Sequence, residues 1–424
     1  MTAPYVYLTS NSGSVGSSGA PILTAASNLA INSNTNVYVS NAGSTALIYG
    51  AAGNSDTFSL VTTNSGNIAV DSNVIAASGT IGTIALNAAG AITETTGALT
   101  AGTVNLISNA GDIGASGSGN AINTVASNLS VTSAGNAYIS NNGNVTLTGS
   151  NITVGSGDIL SLATSSGSIA IDGNVGSSSS IGSIILNAAN AITETTGVLT
   201  ATNVNLNTGT SSIGASGAAI NTATSNLAIN SADNAYISNN GSVTLTGSNI
   251  TVGSGDILSL ATSSGNIAIN GNVGSGSSIG SIILNAANAI TETSGTLSAT
   301  NVNLTSGAGD IGASGNAINT AASNLSVTSA GNAYISNEGS VNLAPTTITV
   351  GSGDVLSLAT SSGNIAINGN VGGSSSIGTI ALNAAGAITE TSGALTATNV
   401  NLTSGTGSIG ATGLVTPSTL LLLI

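Results

Sequence analysis

The chain has 424 residues and contains no Lys, Arg, His or Cys, while 14 Asp and Glu residues give it a net charge of −14. No side chain can neutralise phosphate, which excludes nucleic-acid binding and disfavours attachment to anionic membranes. Without cysteine there is no disulfide framework and no thiolate metal site. Aromatic residues make up only 2% of the chain, so any core must be built from small aliphatic side chains in thin layers.

The strongest pattern is a repeat of about 98 residues. Three markers recur in a fixed order, namely a leucine after Val-x, a tyrosine and a glutamate in Ile-Thr-Glu-Thr. They are Leu8, Leu106, Leu206, Leu304 and Leu402; Tyr38, Tyr138, Tyr236 and Tyr334; and Glu94, Glu194, Glu292 and Glu390. We predict one continuous solenoid over 5–413, made of repeats 5–102, 103–202, 203–300 and 301–398 and the start of a fifth. An apolar coil or strand follows at 414–424.

Within each repeat, apolar residues come in i, i+2 pairs such as Val302 and Leu304, or Leu325 and Val327. This alternation predicts short strands with one buried face, separated by Gly, Ser and Asn turns. A sandwich does not need an exact long repeat, and a propeller would show a shorter one. We therefore predict an all-β fold, a single parallel β-helix of coils of about 20 residues, five to a repeat. Asn in Ser-Asn-Leu and Asn-Ala-Ala is expected to stack between coils or to form turns.

Several strings resemble the repeats of filamentous-haemagglutinin-type bacterial surface proteins. They are Gly-Asn-Ile-Ala-Ile at 363–367, Ala-Gly-Ala-Ile-Thr-Glu-Thr at 89–95 and 385–391, and Gly-Asp-Ile-Gly-Ala-Ser-Gly at 111–117. The resemblance covers essentially the whole chain. It implies a right-handed parallel β-helix, secretion across the outer membrane, an extracellular or cell-surface location, and a role as an adhesin or surface fibre. Strand twist favours the same handedness.

The carboxylates recur once per repeat, whereas an active site is normally singular, so we predict turn or solvent-facing positions, no enzymatic activity and no cofactor. The remaining metal candidates are Asp158, Asp256 and Asp354, each in Gly-Ser-Gly-Asp. Calcium-binding β-rolls repeat such motifs far more often along the chain. A Gly-Asp turn without an ion is therefore the favoured interpretation.

The two ends differ from the interior repeats. Alternation places Tyr5 and Tyr7 outward, where interior repeats carry asparagine, and the sequence ends in an apolar run, Leu420, Leu421, Leu422, Leu423 and Ile424. Soluble solenoids normally cap their ends with polar elements. We hypothesise that these residues form a self-assembly interface, so that the chain is the subunit of an extracellular filament or surface fibre and polymerises head-to-tail.

The alternative is an excised shaft segment of a large secreted adhesin. Besides the chain itself, in end-to-end contacts and lateral bundles, surface or matrix glycans are the other expected class of partner. No stretch approaches the roughly 20 apolar residues that span a bilayer, so no membrane insertion is expected.

Overall fold

The computed structural model describes residues 1–76, 79–117, 119–149, 152–177, 180–246, 250–274, 278–343, 348–372 and 376–410. Over these residues the chain is all-β, and its parallel coils form a β-solenoid with about 17 turns, which confirms the predicted fold class. None of the described residues forms a helix with the length and apolarity that crossing a bilayer requires. The chain divides into two compact units, Met1–Ser211 and Ser212–Ile424, and each is described by itself.

The described residues of the first unit form nineteen strands, which are mostly short because Gly and Asn turns interrupt them. They are β1 (Tyr5–Ser10), β2 (Ile22–Thr24), β3 (Asn28–Ser33), β4 (Val37–Ala42), β5 (Thr45–Ala52), β6 (Thr57–Thr63), β7 (Ile68–Val70), β8 (Val74–Ala76), β9 (Ile81–Ala88), β10 (Ile92–Glu94), β11 (Leu99–Ser108), β12 (Ile122–Ser133), β13 (Ala137–Asn141), β14 (Val145–Thr148), β15 (Ile159–Thr164), β16 (Ile169–Asp172), β17 (Ser183–Ala188), β18 (Ile192–Thr196) and β19 (Leu199–Thr208).

The described residues of the second unit form sixteen strands of the same kind. They are β20 (Ile220–Asn230), β21 (Ala235–Asn239), β22 (Val243–Thr246), β23 (Ile257–Thr262), β24 (Ile267–Asn270), β25 (Ser281–Ala286), β26 (Ile290–Ser294), β27 (Leu297–Ser306), β28 (Ile318–Ser329), β29 (Ala333–Asn337), β30 (Val341–Leu343), β31 (Val355–Thr360), β32 (Ile365–Ile367), β33 (Ile377–Ala384), β34 (Ile388–Glu390) and β35 (Ala397–Ser404).

Each coil of the first unit contributes a strand to each of two long parallel rows. One row leads from Val6 in β1 to Val204 in β19 by nine successive pairings, through β3, β5, β7, β10, Ile113, β13, β15 and β17. Dividing the distance between positions 6 and 204 by nine steps gives a coil of about 22 residues, at the short end of the range for solenoid repeats. A coil is therefore slightly longer than the sequence pattern predicts.

Successive repeats place equivalent strands in alternate rows. The second row of the first unit contains β4, β6, β9, β11, β12, β14, β16 and β18. Equivalent strands β1, β11 and β19 each carry the marker leucine, yet β11 lies in the second row and the other two lie in the first. One repeat thus spans four and a half coils rather than five, and the pattern returns to the same row after two repeats.

Some coils have a short third side in addition to their strands in the two rows. Such coils follow one another in runs, which we call blocks. In the first unit Gly50, Val74, Leu99 and Thr124 are stacked partners in adjacent coils, so each step covers a long, three-sided coil. The next partner is Asn141, only 17 residues further along the chain. The coil after the block is therefore shorter and has no third side. The second unit repeats this arrangement along Ile250, Val273, Leu297, Thr320 and Asn337.

A buried asparagine closes each block. In the second unit Asn337 Oδ1 accepts hydrogen bonds from Thr320 Oγ1 at 2.8 Å and from the Ala322 amide at 2.9 Å. Asn337 Nδ2 donates to the Ala322 carbonyl at 3.2 Å, so the side-chain amide makes the pair of bonds that a neighbouring strand would otherwise make. The equivalent fully buried residues are Asn41, Asn141 and Asn239.

Outside the core, asparagines of adjacent coils form a ladder on the second unit. Asn324 Nδ2 donates to Asn301 Oδ1 at 3.0 Å, and Asn342 Nδ2 donates to Asn324 Oδ1 at 3.2 Å. Asn324 belongs to a Ser-Asn-Leu string, so the predicted stacking of that asparagine between coils is confirmed. Inward positions of the same strands carry Val, Ile and Leu, and the core is a column of these aliphatic layers.

Candidate assembly surfaces at the first and last described coils

The first coil leaves one edge of strand β1 without a partner strand among the described residues. β1 pairs in parallel only with β3, from Tyr5 opposite Asn28 to Ser10 opposite Ser33. In an interior strand such as β11, both edges are paired, with β9 and with β12. The free N–H and C=O groups of β1 lie in the plane of the sheet and are available to a further parallel strand.

The predicted outward tyrosines lie beside this edge rather than on it. Tyr5 and Tyr7 are exposed, whereas Val6 between them is buried. Side chains of a strand stand perpendicular to the sheet, while its free hydrogen-bonding groups lie within the sheet. Tyr5 and Tyr7 therefore project from the side of the first coil and flank the unpaired edge, instead of facing along the axis of stacking.

Three further exposed apolar side chains on the first coils were not singled out from the sequence. They belong to Met1, Leu23 and Tyr49. Leu23 could have been found from the repeat, because the equivalent residues are Asn123 and Asn319. Tyr49 lies in the part of the first repeat where the internal spacing changes, so alignment with the other repeats carries no signal there.

The last described coil is open on its far side. β35 pairs only with β33 among the described strands. Its inward residues Val400 and Leu402 are partly exposed, whereas the equivalent Val302 and Leu304 are no more than 1% exposed. Ile409 in the same coil is 47% exposed. The remaining predicted interface residues, Leu420 to Ile424, lie outside the described residues.

The calcium candidates all occupy the same tight turn. The Asp158 amide donates to the Gly155 carbonyl at 3.1 Å, and Gly157 between them has φ +82°, which matches a type II turn. Asp256 and Asp354 repeat this geometry. Within the described ranges, no three residues of the His, Cys, Asp and Glu types lie close enough together to hold a metal ion. Each aspartate thus stands at a separate turn.

Glu292 does not occupy the turn or solvent-facing position that the sequence predicts, whereas Glu94, Glu194 and Glu390 are partly exposed. Glu292 is 2% exposed and lies opposite Ile269 of the preceding coil, in an inward column. It accepts a hydrogen bond from the Asn319 amide at 2.9 Å and another from the Asn319 side chain. Burial raises the pKa of the Glu292 carboxyl above its ordinary value, and the two hydrogen bonds from Asn319 partly offset that rise.

Glu94 accepts the equivalent pair of hydrogen bonds in the first unit, with Asn123 as its donor, but it is only partly buried. Burial raises the pKa of Glu94 as well, against the opposing effect of the Asn123 bonds. A raised pKa is also a feature of catalytic general acids. The carboxylates of Glu94 and Glu292, however, accept hydrogen bonds from strand amides of the next coil. Their position holds the start of β12 and β28 in register.

Shallow grooves lie where the third-side blocks end. One of about 390 Å³ in the first unit is lined by Thr100, Val125, Asn142 and neighbouring residues. Another of about 230 Å³ in the second unit is lined by Asn319, Glu338 and their neighbours. Both are open clefts produced by the short coil that follows each block.

No protein-family model, no curated protein and no solved structure matches the chain.

Proposed function

We propose that this protein is a structural subunit of an extracellular filament or bacterial surface fibre, and that copies join end to end through the first and last coils. The observation that carries the proposal is the pair of unpaired strand edges, β1 in one unit and β35 in the other, among the described strands. A parallel strand edge with an apolar interior beside it is complementary to another such edge. A contact between two different ends does not close on itself and therefore grows a fibre.

The chemistry of the interior favours a scaffold over a catalyst. Carboxylates recur singly at equivalent places in successive repeats, and neither a basic side chain nor a thiol exists in the chain to act beside them. The resemblance of the repeat strings to filamentous-haemagglutinin-type proteins supports a location outside the bacterial cell. The same open edges also suit the alternative, a shaft segment within a larger adhesin, because a segment would continue at both ends.

A substitution on β35 tests the end-to-end contact. Leu402→Asp places a charge on the partly exposed inward face of the last described coil, and burying that charge at a joint would be costly. Negative-stain electron microscopy should show fibres for the wild type and short particles for Leu402→Asp. The matched control is Asn401→Asp, which puts the same charge outward on the same strand and should leave the fibres intact.

Deletion of 420–424 provides a second test of the predicted interface. It should shorten or abolish the fibres, with circular dichroism confirming that the β-structure is retained. Fibres that persist in both Leu402→Asp and the deletion would refute the end-to-end contact. A wild-type chain that stays monomeric at high concentration would instead favour the adhesin shaft.

A further inference from the structure

We propose that the side of the first three coils is a second interaction surface, at which two copies of this chain pair through the same residues. The tyrosine patch, as we name it, consists of Met1, Tyr5, Tyr7, Leu23 and Tyr49, whose exposed fractions are 62%, 57%, 70%, 67% and 42%. The patch is distinct from the unpaired edge of β1, because its side chains project sideways. The inference does not depend on end-to-end assembly.

The patch combines two groups of exposed residues, namely Tyr5, Tyr7 and Tyr49 on strands β1 and β5, and Met1 with Leu23 beside the start of β1. The Met1 amino group donates to the Leu23 carbonyl at 2.9 Å, and Thr2 pairs with Ala25. The chain then enters β1, so Tyr5 follows directly on the Met1 segment.

Two of the tyrosines share one outward column. Tyr7 lies opposite Ala30, and Ala30 lies opposite Tyr49 in the next coil. At about 4.8 Å per coil, the two tyrosines stand about 10 Å apart. Only the small Ala30 side chain lies between the two tyrosines in this column, which leaves room there for a tyrosine or leucine of an opposing patch.

Charge selects a second copy as the occupant. All 14 carboxylates of the chain lie at or beyond Asp56, so residues 1–55 contain no charged side chain. Long stretches without carboxylates also occur at 113–157 and 391–424, and among their described residues each contains one exposed large apolar side chain, Val125 or Ile409. The one cationic group of the chain is the Met1 amino group, which donates to the Leu23 carbonyl. Two copies, each with a net charge of −14, can therefore bury surface against one another at the tyrosine patch without bringing carboxylates together.

The patch also finds its best apolar match in itself. The other large apolar side chains with high exposure in the described ranges are Ile75, Val125 and Ile409, which are separated along the chain. A contact of the patch with any of them would leave most of its apolar area against polar surface. A two-fold contact of the patch with itself buries the apolar groups of both copies, and such self-complementary contacts close as dimers.

Cysteine cross-linking tests the two-fold geometry directly, because the chain contains no cysteine. Tyr7→Cys should form a disulfide-linked dimer under mild oxidation, since a residue near a two-fold axis lies beside its own copy. Val125→Cys introduces an exposed thiol outside the patch and sets the background of random collisions. Cross-linking of Tyr7→Cys no faster than that of Val125→Cys would overturn the proposal.

The repeat itself supplies a variant of the patch that should still fold. Tyr5→Asn, Tyr7→Asn and Leu23→Asn together install the residues that interior repeats carry at these positions. By sedimentation velocity, self-association of this triple variant should be weaker by about tenfold or more. Val125→Ala, which copies Ala321 of a later repeat, is the control and should associate like the wild type.

The two readouts separate this surface from the proposed filament joint. Loss of lateral pairs with fibres retained in the triple variant supports the patch as a separate contact. Unchanged pairing in the triple variant, or pairing abolished only by the deletion of 420–424, contradicts it. A patch that binds a neutral polysaccharide or an unrelated protein, with no dimer at any concentration, also contradicts it.

Discussion

The Glu292 carboxylate occupies an inward position where the preceding coil has Ile269. It remains there because the first residues of β28 have no strand beneath them among the described strands, and the carboxylate accepts the Asn319 amide and side chain in place of that strand. The cost is the loss of water around a charge, which raises the pKa of Glu292. At neutral pH this residue secures local register at the expense of stability.

Glu292→Gln should stabilise the second unit at neutral pH and have little effect in acid. A carboxyl whose pKa is raised by folding contributes stability below its ordinary pKa, and that contribution is lost as the pH rises through the raised value. The glutamine amide keeps an acceptor for the Asn319 amide and does not ionise. The difference in urea midpoint between variant and wild type should therefore grow from near pH 3 to pH 7.

Glu338→Gln is the matched control, because Glu338 is exposed in the same unit. Glu338→Gln also removes one negative charge, but that charge is exposed to solvent. A pH dependence for Glu292→Gln that equals that of Glu338→Gln would show that net charge, rather than burial, sets the effect.

The inward position of Glu292 could have been predicted from the residues around it. The strand starts at Ile290, which is inward, and the period of two makes Glu292 inward as well. The regular recurrence of a charged residue predicts a turn or solvent-facing position, and this prediction is wrong for Glu292. Recurrence reports the repeat of an environment, whether the environment is exposed or buried. The Asn319 partner lies a full coil further along the chain and could not be assigned from local pattern.

At the scale of the element, the asparagine caps explain how a third side can stop without exposing a strand edge. Asn337 satisfies both the amide and the carbonyl of Ala322 within the core. Its sequence signal is the string Tyr-Ile-Ser-Asn, which recurs in the later repeats. The tyrosine of this string marks the repeat, whereas the role of the asparagine could not be predicted, because asparagine is common throughout the chain and its burial depends on where the block ends.

Asn337→Ala should destabilise the second unit by about 3 kcal/mol, since it leaves the Thr320 hydroxyl and both polar groups of Ala322 buried without a partner. Chemical denaturation followed by far-UV circular dichroism measures the loss. Asn342→Ala removes an outward ladder residue and should cost less than about 1 kcal/mol, because water replaces the lost bond. Equal losses for the two variants would contradict the capping role.

The turn before β6 offers a stabilising substitution. Ser55 has φ +61°, in the left-handed region, where the equivalent Gly157 has φ +82°. A side chain in this conformation is strained by roughly 1 kcal/mol. Ser55→Gly should therefore raise the thermal midpoint of the first unit, and Gly157→Ser should lower it by a similar amount. A neutral or destabilising Ser55→Gly would show that the strain is relieved elsewhere in the turn.

The coil length shows where prediction from periodicity reached its limit. The strand positions and the parallel fold could be predicted from the apolar i, i+2 pairs. These pairs do not show which coils have a third side and which do not. The long step from Leu99 to Thr124 and the short step from Thr124 to Asn141 average out in the sequence. The half-integral number of coils per repeat therefore emerges only from the strand pairings.

At the scale of the whole molecule, charged residues are few, and the equivalent charges of successive repeats are far apart. Asp56 and Asp158 occupy equivalent turns separated by four and a half coils, which is about 22 Å of axial distance. The Debye length is about 8 Å at physiological ionic strength, so each carboxylate is screened from its equivalent in the next repeat. Non-equivalent carboxylates lie closer together, because Glu94 pairs with Val70 and Asp71 is the next residue in that adjacent coil. The net charge of −14 also acts between molecules.

Lateral association should consequently increase as the pH falls. Carboxyl groups take up protons as the pH falls towards 4, and this weakens the repulsion that keeps Asn-, Ser- and Thr-rich surfaces apart. Light scattering of the wild type should rise as the pH is lowered from 7 towards 4. Asp56→Asn and Asp158→Asn together should shift this rise to higher pH by removing two charges. The tyrosine patch contains no carboxylate, so dimers formed through it should persist across the range, whereas bundles should dissolve again when the pH is returned to 7. Scattering that stays flat down to pH 4 would mean that hydration of the polar side chains, and not charge, keeps the molecules apart.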